Sequence, residues 1–109
     1  MADLRLSPST FAARLRATRQ ARGLSQAQLG VMVGLPDDVA APRINRYEKG
    51  MNPPLDMAQK LADTLGVPLA YLMATDERLA QAIVLFAKLD PERQDAILAL
   101  LRDSLDQHR

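Results

Sequence analysis

Residues 25–50 read SQAQLGVMVGLPDDVAAPRINRYEKG, and this stretch decides the fold. Ser25 followed by Gln28 forms a capping box, in which the Ser oxygen accepts from the Gln28 amide and the Gln side chain reaches back. The pattern predicts a short helix over 25–33, with Leu29, Met32 and Val33 as its apolar face and Gly34 as its stop. Residues 35–41 contain Pro36, Asp37 and Asp38 and read as a loop or a loose turn. Pro42 is unwelcome in a helix interior but suits a first helical position, so the next helix is expected to begin near Ala41 or Pro42. It runs to Lys49, with Gly50 as its stop. Ile44 and Tyr47, at i and i+3, face inward and leave Arg43, Asn45, Arg46 and Lys49 outside. Two short helices meeting at an angle, the second basic on its outer face, make an arrangement that can lay a helix in the DNA major groove, where Arg, Asn and Gln can read base edges.

Outward from this core the same signals recur. Ser7-Pro8 opens a first helix, expected over 8–21, with Phe11, Leu15 and Thr18 on one face and Gly23 at its end. Downstream, 51–54 is irregular. A helix over about 55–65 is expected to bury Leu55, Ala58, Leu61, Ala62 and Leu65 before Gly66 ends it. A short helix follows from Leu69 to Met73. Asp76, or Thr75 before it, caps a sixth helix reaching Lys88, and Asp90-Pro91-Glu92 starts a seventh. Eighteen Leu and seventeen Ala stand against twelve Val, Ile and Thr combined, proportions that favour helix over sheet. The fold class is therefore all-α: five helices over 8–73, then a two-helix hairpin over 74–107.

The 109 residues allow one compact domain, or a small domain with an appendage, and 48% apolar residues suffice for a core. The absence of cysteine removes disulfides, thiolate zinc sites and a thiol nucleophile, and suits a reducing cytoplasm. No apolar run approaches the ~20 residues of a membrane span, and the first residues, with Asp3 and Arg5, do not read as a secretory signal. The expected location is the cytoplasm. A net charge of +1 hides an asymmetry: residues 1–54 hold eight Arg/Lys against four Asp/Glu, and residues 55–109 hold six against nine. The first half suits a polyanion and the second does not.

The segments RLRATRQARGLSQAQLGVMVGL and RINRYEKGMNPPLDMAQKLADTLGVPLAYLM resemble the Cro and lambda-repressor (Xre-type) helix-turn-helix domain over about residues 12–73. Gln26 opens the positioning helix, Leu29 anchors it, and Gly30 takes the small-residue position where the two helices touch. Ile44 and Tyr47 match the buried positions of the second helix, which Glu48-Lys49-Gly50 closes. The resemblance implies double-stranded DNA as partner, a transcriptional regulator as function, and an ion pair between Arg19 and Glu48 that fastens the reading helix to the first helix. It implies Arg43, Asn45 and Arg46 as base readers, and Gln26, Lys49 and Asn52 as phosphate-positioning residues. Arg14, Arg16 and Arg22 of the first helix either add a long-range field or form a solvated face.

One departure stands out. Thirteen residues separate Gly34 from Glu48, about four more than the family has, so the extra residues either fill the turn or lengthen the reading helix at its start. If Ala41 and Pro42 occupy positions that in the family often carry base-reading side chains, readout there is blunted, which leaves Arg43, Asn45 and Arg46 as the readers. Asp37 and Asp38 are expected in a loop that turns away from the DNA backbone, or one of them accepts from a cytosine amino group.

Beyond residue 73 the resemblance stops. Leu79, Ile83 and Phe86 share a face, and Ile97, Leu98, Leu101 and Leu105 form a second stripe, more apolar surface than two helices cover by themselves. A second copy of the chain is expected there, in a two-fold dimer matched to two half-sites. Catalysis has little support. The single His108 is the penultimate residue, Asp90, Glu92 and Asp95 are explained by helix-cap electrostatics, and Met51, Met57 and Met73 read as gap-filling core. No metal, cofactor, small-molecule ligand or membrane is expected. The rival reading is an antitoxin or interaction adaptor that docks a partner protein on the apolar hairpin.

Overall fold

Seven helices form among residues 8–107, the residues that the computed structural model describes, and no strand is found among them. They are α1 (Pro8–Ala21), α2 (Gln26–Met32), α3 (Asp37–Glu48), α4 (Leu55–Leu65), α5 (Leu69–Met73), α6 (Glu77–Ala87) and α7 (Pro91–Gln107). The Ser7 cap and His108 lie outside the described residues.

Local signals set most of the ends. Ser25 caps α2 through the full capping box, its oxygen accepting from Gln28 N–H while Gln28 Oε1 accepts from Ser25 N–H. Gly34, at φ +93°, lets the Leu35 amide turn back to Gly30 O at 2.9 Å, so α2 stops after two turns. Asp76 caps α6 through Leu79 N–H, and Asp90 accepts from Arg93 N–H at the start of α7.

The start of α3 corrects the sequence expectation. Residues 37–41 are helical and Pro42 sits inside α3, so the insertion is an added helical turn and Asp37 and Asp38 belong to it. Pro36 occupies the cap, and the two carboxylates of the first turn favour the positive end of the helix dipole by ~0.3–1 kcal/mol each. Proline at the sixth helical position removes one i→i−4 bond, to the Asp38 carbonyl, and the remaining turns persist because Ala40 and Ile44 on either side are fully buried.

One core joins α1 to α5. Phe11 and Leu15 of α1, Leu29 of α2 with Val33 just after it, Ile44 and Tyr47 of α3, Leu61 and Leu65 of α4, and Leu72 of α5 form it together. Its edges depart from expectation in three places. Met32 is exposed because the buried side of α2 is centred between Leu29, Gly30 and Val33. Leu55, expected inside, is 74% exposed, since as the first residue of α4 it projects past the end of the core. Of the three methionines expected as gap-fillers, only Met57 packs against the core, while Met51 and Met73 are exposed.

The sixth helix joins this body and the seventh does not. Ala80 is fully buried and Val84 packs against the core. Helix α7, about 25 Å long at 1.5 Å per residue, has no buried residue. The radius of gyration is 16.3 Å, against about 13 Å for a compact chain of this length.

Candidate nucleic-acid interface

The site is one face of α3, and its aim is set from the other side of that helix. Ala40, Ile44 and Tyr47 are buried against α1 and α2. Where α2 crosses α3, Gly30 meets Ala40 so closely that a Cβ on Gly30 would lie 2.5 Å from the Ala40 Cβ and 2.7 Å from its Cα. The expected small-residue contact is therefore present, and its partner comes from the inserted turn.

Arg19 and Glu48 fix the far end. Arg19 Nε donates to Glu48 Oε2 at 2.6 Å and Nη2 donates to Oε1 at 3.0 Å, a bidentate pair, while Nη1 donates to the Leu24 carbonyl at 2.7 Å. The side chains are 10% and 3% exposed, so this is a buried ion pair tying α1 to the last turn of α3. Hydrogen bonding to Glu48 holds the Arg19 pKa above the ordinary arginine value against the opposing effect of burial. Among the described residues no buried side-chain nitrogen or oxygen lacks a partner.

With Ile44 and Tyr47 inward, the 100° step per residue turns Asp38, Pro42, Arg46 and Lys49 to the opposite side as one stripe, and all four are exposed. Arg46 is the central candidate reader. Arg43 and Asn45, also expected outside, sit half-buried on the two flanks. Asn52, in the segment after α3, is exposed. Asp38 shares the stripe with Arg46 on a helix and not in the expected loop, a place that agrees with the second alternative, an acid near the base edges, better than with a loop turned away. Among the described residues no carboxylate forms an ion pair with Arg43, Arg46 or Lys49.

Gln26, at the first position of α2, reaches α3. Its Nε2 donates to Glu48 Oε1 at 3.1 Å and to Asn45 Oδ1 at 3.3 Å, which links a candidate reader to the ion pair. Sequence reasoning missed this link, and Gln26 and Asn45, 19 residues apart, offered no local signal of it.

The arginines of α1 divide. Arg14 Nε donates to the Ala74 carbonyl at 3.0 Å, its Nη1 pairs with Glu77 at 3.1 Å, and its guanidinium lies 5.3 Å from the Tyr71 ring centroid. Arg22 Nε donates to the Leu65 carbonyl at 2.9 Å, at the C-terminal end of α4. Both therefore make bonds within the chain, which neither sequence alternative foresaw. Arg16 is exposed.

Helices α6 and α7 are joined by a short turn, across which Gln94 Nε2 donates to the Phe86 carbonyl at 3.0 Å. Between them opens an apolar groove of about 790 Å³, lined by Ile83, Phe86, Ile97, Leu98 and Leu101 among others. Leu79 and Leu105 of the expected association surface are exposed but lie outside the groove lining. No metal-binding cluster of His, Cys, Asp or Glu occurs among the described residues, and no helix there is long and apolar enough to cross a membrane.

Residues 15–72 match the helix-turn-helix family. The chain is 30% identical over 97 residues to the cryptic phage CTXphi transcriptional repressor RstR of Vibrio cholerae, covering 84% of each protein. The crystal structure of the transcriptional regulator BswR superposes with a TM-score of 0.79 at 34% identity, covering 84% of this chain and 92% of that one.

Proposed function

The chain belongs to the helix-turn-helix family of lambda-repressor-like, DNA-binding transcriptional regulators, and from that premise we propose that it is a dimeric repressor reading a short near-palindromic operator with α3. The observation that carries this reading is the outward stripe of α3, with Arg46 and Lys49 exposed on a helix anchored from behind by the buried Arg19–Glu48 pair. Arg46 reads a base edge in the groove, with Arg43 and Asn45 at its flanks, and Lys49, Asn52 and the amide end of α2 hold the phosphates. Residues 8–73 are the DNA-binding unit and residues 74–107 the association unit. The relatives are a transcriptional repressor and a transcriptional regulator, which supports a non-catalytic role, and a cytoplasmic location follows from the work of repression.

The occupant of the α6–α7 groove is a second copy of this chain. Apolar side chains line both walls, α7 has no buried residue, and it carries Arg93 and Arg102 among Glu92, Asp95, Asp103 and Asp106, so an antiparallel copy meets charges of both signs. The repressor named among the relatives supports the direction of control.

Selection of bound fragments from random duplexes tests the reading. The expected product is a two-fold-related sequence whose affinity falls steeply with salt, log K against log[salt] having a slope near −0.9 per neutralised phosphate. Arg46→Ala should weaken binding by ~1–3 kcal/mol and relax preference at one base pair of each half-site. Equal loss on every sequence would make Arg46 a phosphate contact, and a salt-independent, unselective product would remove the operator reading.

A further inference from the structure

Hydrogen-bond polarity runs through the interface in one direction. Both oxygens of the buried Glu48 carboxylate accept from Arg19, so Glu48 faces its neighbours as an acceptor. Its Oε1 already takes Arg19 Nη2 and also receives Gln26, so Gln26 must turn its nitrogen inward and its carbonyl away. The second N–H on that nitrogen goes to Asn45. A nitrogen in the Asn45 position facing Gln26 would set donor against donor, so Asn45 is held with Oδ1 toward Gln26 and Nδ2 on the far side.

We propose that Gln26 is a positioning residue for base recognition, transmitting the acceptor character of Glu48 so that Asn45 enters the groove led by its donor end. This rests on the reading of α3 as the groove helix. Both Gln26 side-chain donors are engaged, and phosphate oxygens accept only, so the side chain has no donor left for the backbone, and any phosphate contact by Gln26 comes from its main-chain amide at the start of α2. For Asn45 the orientation selects acceptor edges, guanine N7 and O6 or thymine O4, over the amino group of cytosine.

The test uses duplex selection and affinity measurement on the full chain with Gln26→Met, Asn45→Ala and the double variant. Methionine keeps the length and packing of Gln26, removes both donors and leaves the Arg19–Glu48 pair in place. We expect Gln26→Met to relax preference at the same base pair as Asn45→Ala, by roughly fivefold or more, with an unfolding midpoint near that of the parent. In the Asn45→Ala background the Gln26 substitution should add no further change. Uniform weakening on all duplexes with preference retained would make Gln26 a phosphate contact and overturn the proposal. If Asn45→Ala leaves every preference intact, the proposal falls together with the assignment of Asn45 as a reader, while the Arg46 result still stands for the groove helix itself.

Discussion

Helices α3 and α7 carry similar shares of charge, and their surroundings could hardly differ more. The first buries Ala40, Ile44 and Tyr47 completely or nearly so and ends in a buried ion pair, whereas the second has no fully buried residue. A helix whose inner face is fixed presents its outer face at one orientation, which readout of a groove requires, because a side chain that reaches a base edge has little tolerance for rotation of its backbone. A helix with no fully buried residue has a weakly fixed inner face, and in the proposed dimer a second subunit supplies the missing contacts. Substitutions at the two ends should therefore separate stability from association.

The largest expected effect is at the anchor of α3. Arg19→Ala leaves the Glu48 carboxylate buried beside the remaining donor, Gln26, and should lower unfolding stability by ~3–5 kcal/mol, a deficit visible in urea melts. The Arg19 pKa is raised, so its contribution is full at every pH below the unfolded arginine value and is lost only as pH rises through the still higher folded value. The Arg19→Ala deficit attributable to arginine titration should accordingly be the same at about pH 7 and about pH 10. A change near zero at both would place the pair among surface bridges worth ~0–1 kcal/mol.

Next comes the crossing of α2 and α3. Gly30→Ala drives a Cβ into Ala40 main-chain and side-chain atoms, and neither is the end of a flexible chain, so α2 and α3 must separate. A loss of ~1–3 kcal/mol is expected, typical of overpacking, accompanied by weaker duplex binding since the aim of α3 changes with it. A fully stable, fully binding variant would show that the crossing adjusts freely.

How far this contrast was legible depends on the range of each signal. Caps and helix stops are local: Ser25 with Gln28, Gly34, Asp76 and Asp90 placed α2, α6 and α7 close to where they lie. The start of α3 was misplaced because two local rules competed. Proline at the first helical position spoke for Pro42, but the helix begins five residues earlier at Asp37, behind Pro36 at the cap, with two acids in the first turn where the dipole favours them. Long-range contacts have no such signature. Arg14 to Ala74 spans 60 residues and Arg22 to Leu65 spans 43, and nothing near either arginine marks a carbonyl elsewhere in the chain as its partner. Arg19 and Glu48, 29 residues apart, were paired from the family resemblance and not from spacing.

The smallest effect on folding is expected where the largest effect on assembly lies. Leu101 is 56% exposed and lines the α6–α7 groove, so Leu101→Glu removes little buried surface within one chain and should shift monomer stability by no more than ~0.5 kcal/mol. In the dimer the same carboxylate would enter a largely apolar interface, and its desolvation opposes association. Light scattering after size exclusion at micromolar concentration should therefore report a dimer for the parent and a monomer for Leu101→Glu. Operator affinity should fall with it, because one α3 then holds one half-site without the effective concentration that a tethered second helix supplies. A parent that already runs as a monomer would end the assignment of a second copy to the groove, and a variant that unfolds would show that α7 belongs to the core after all.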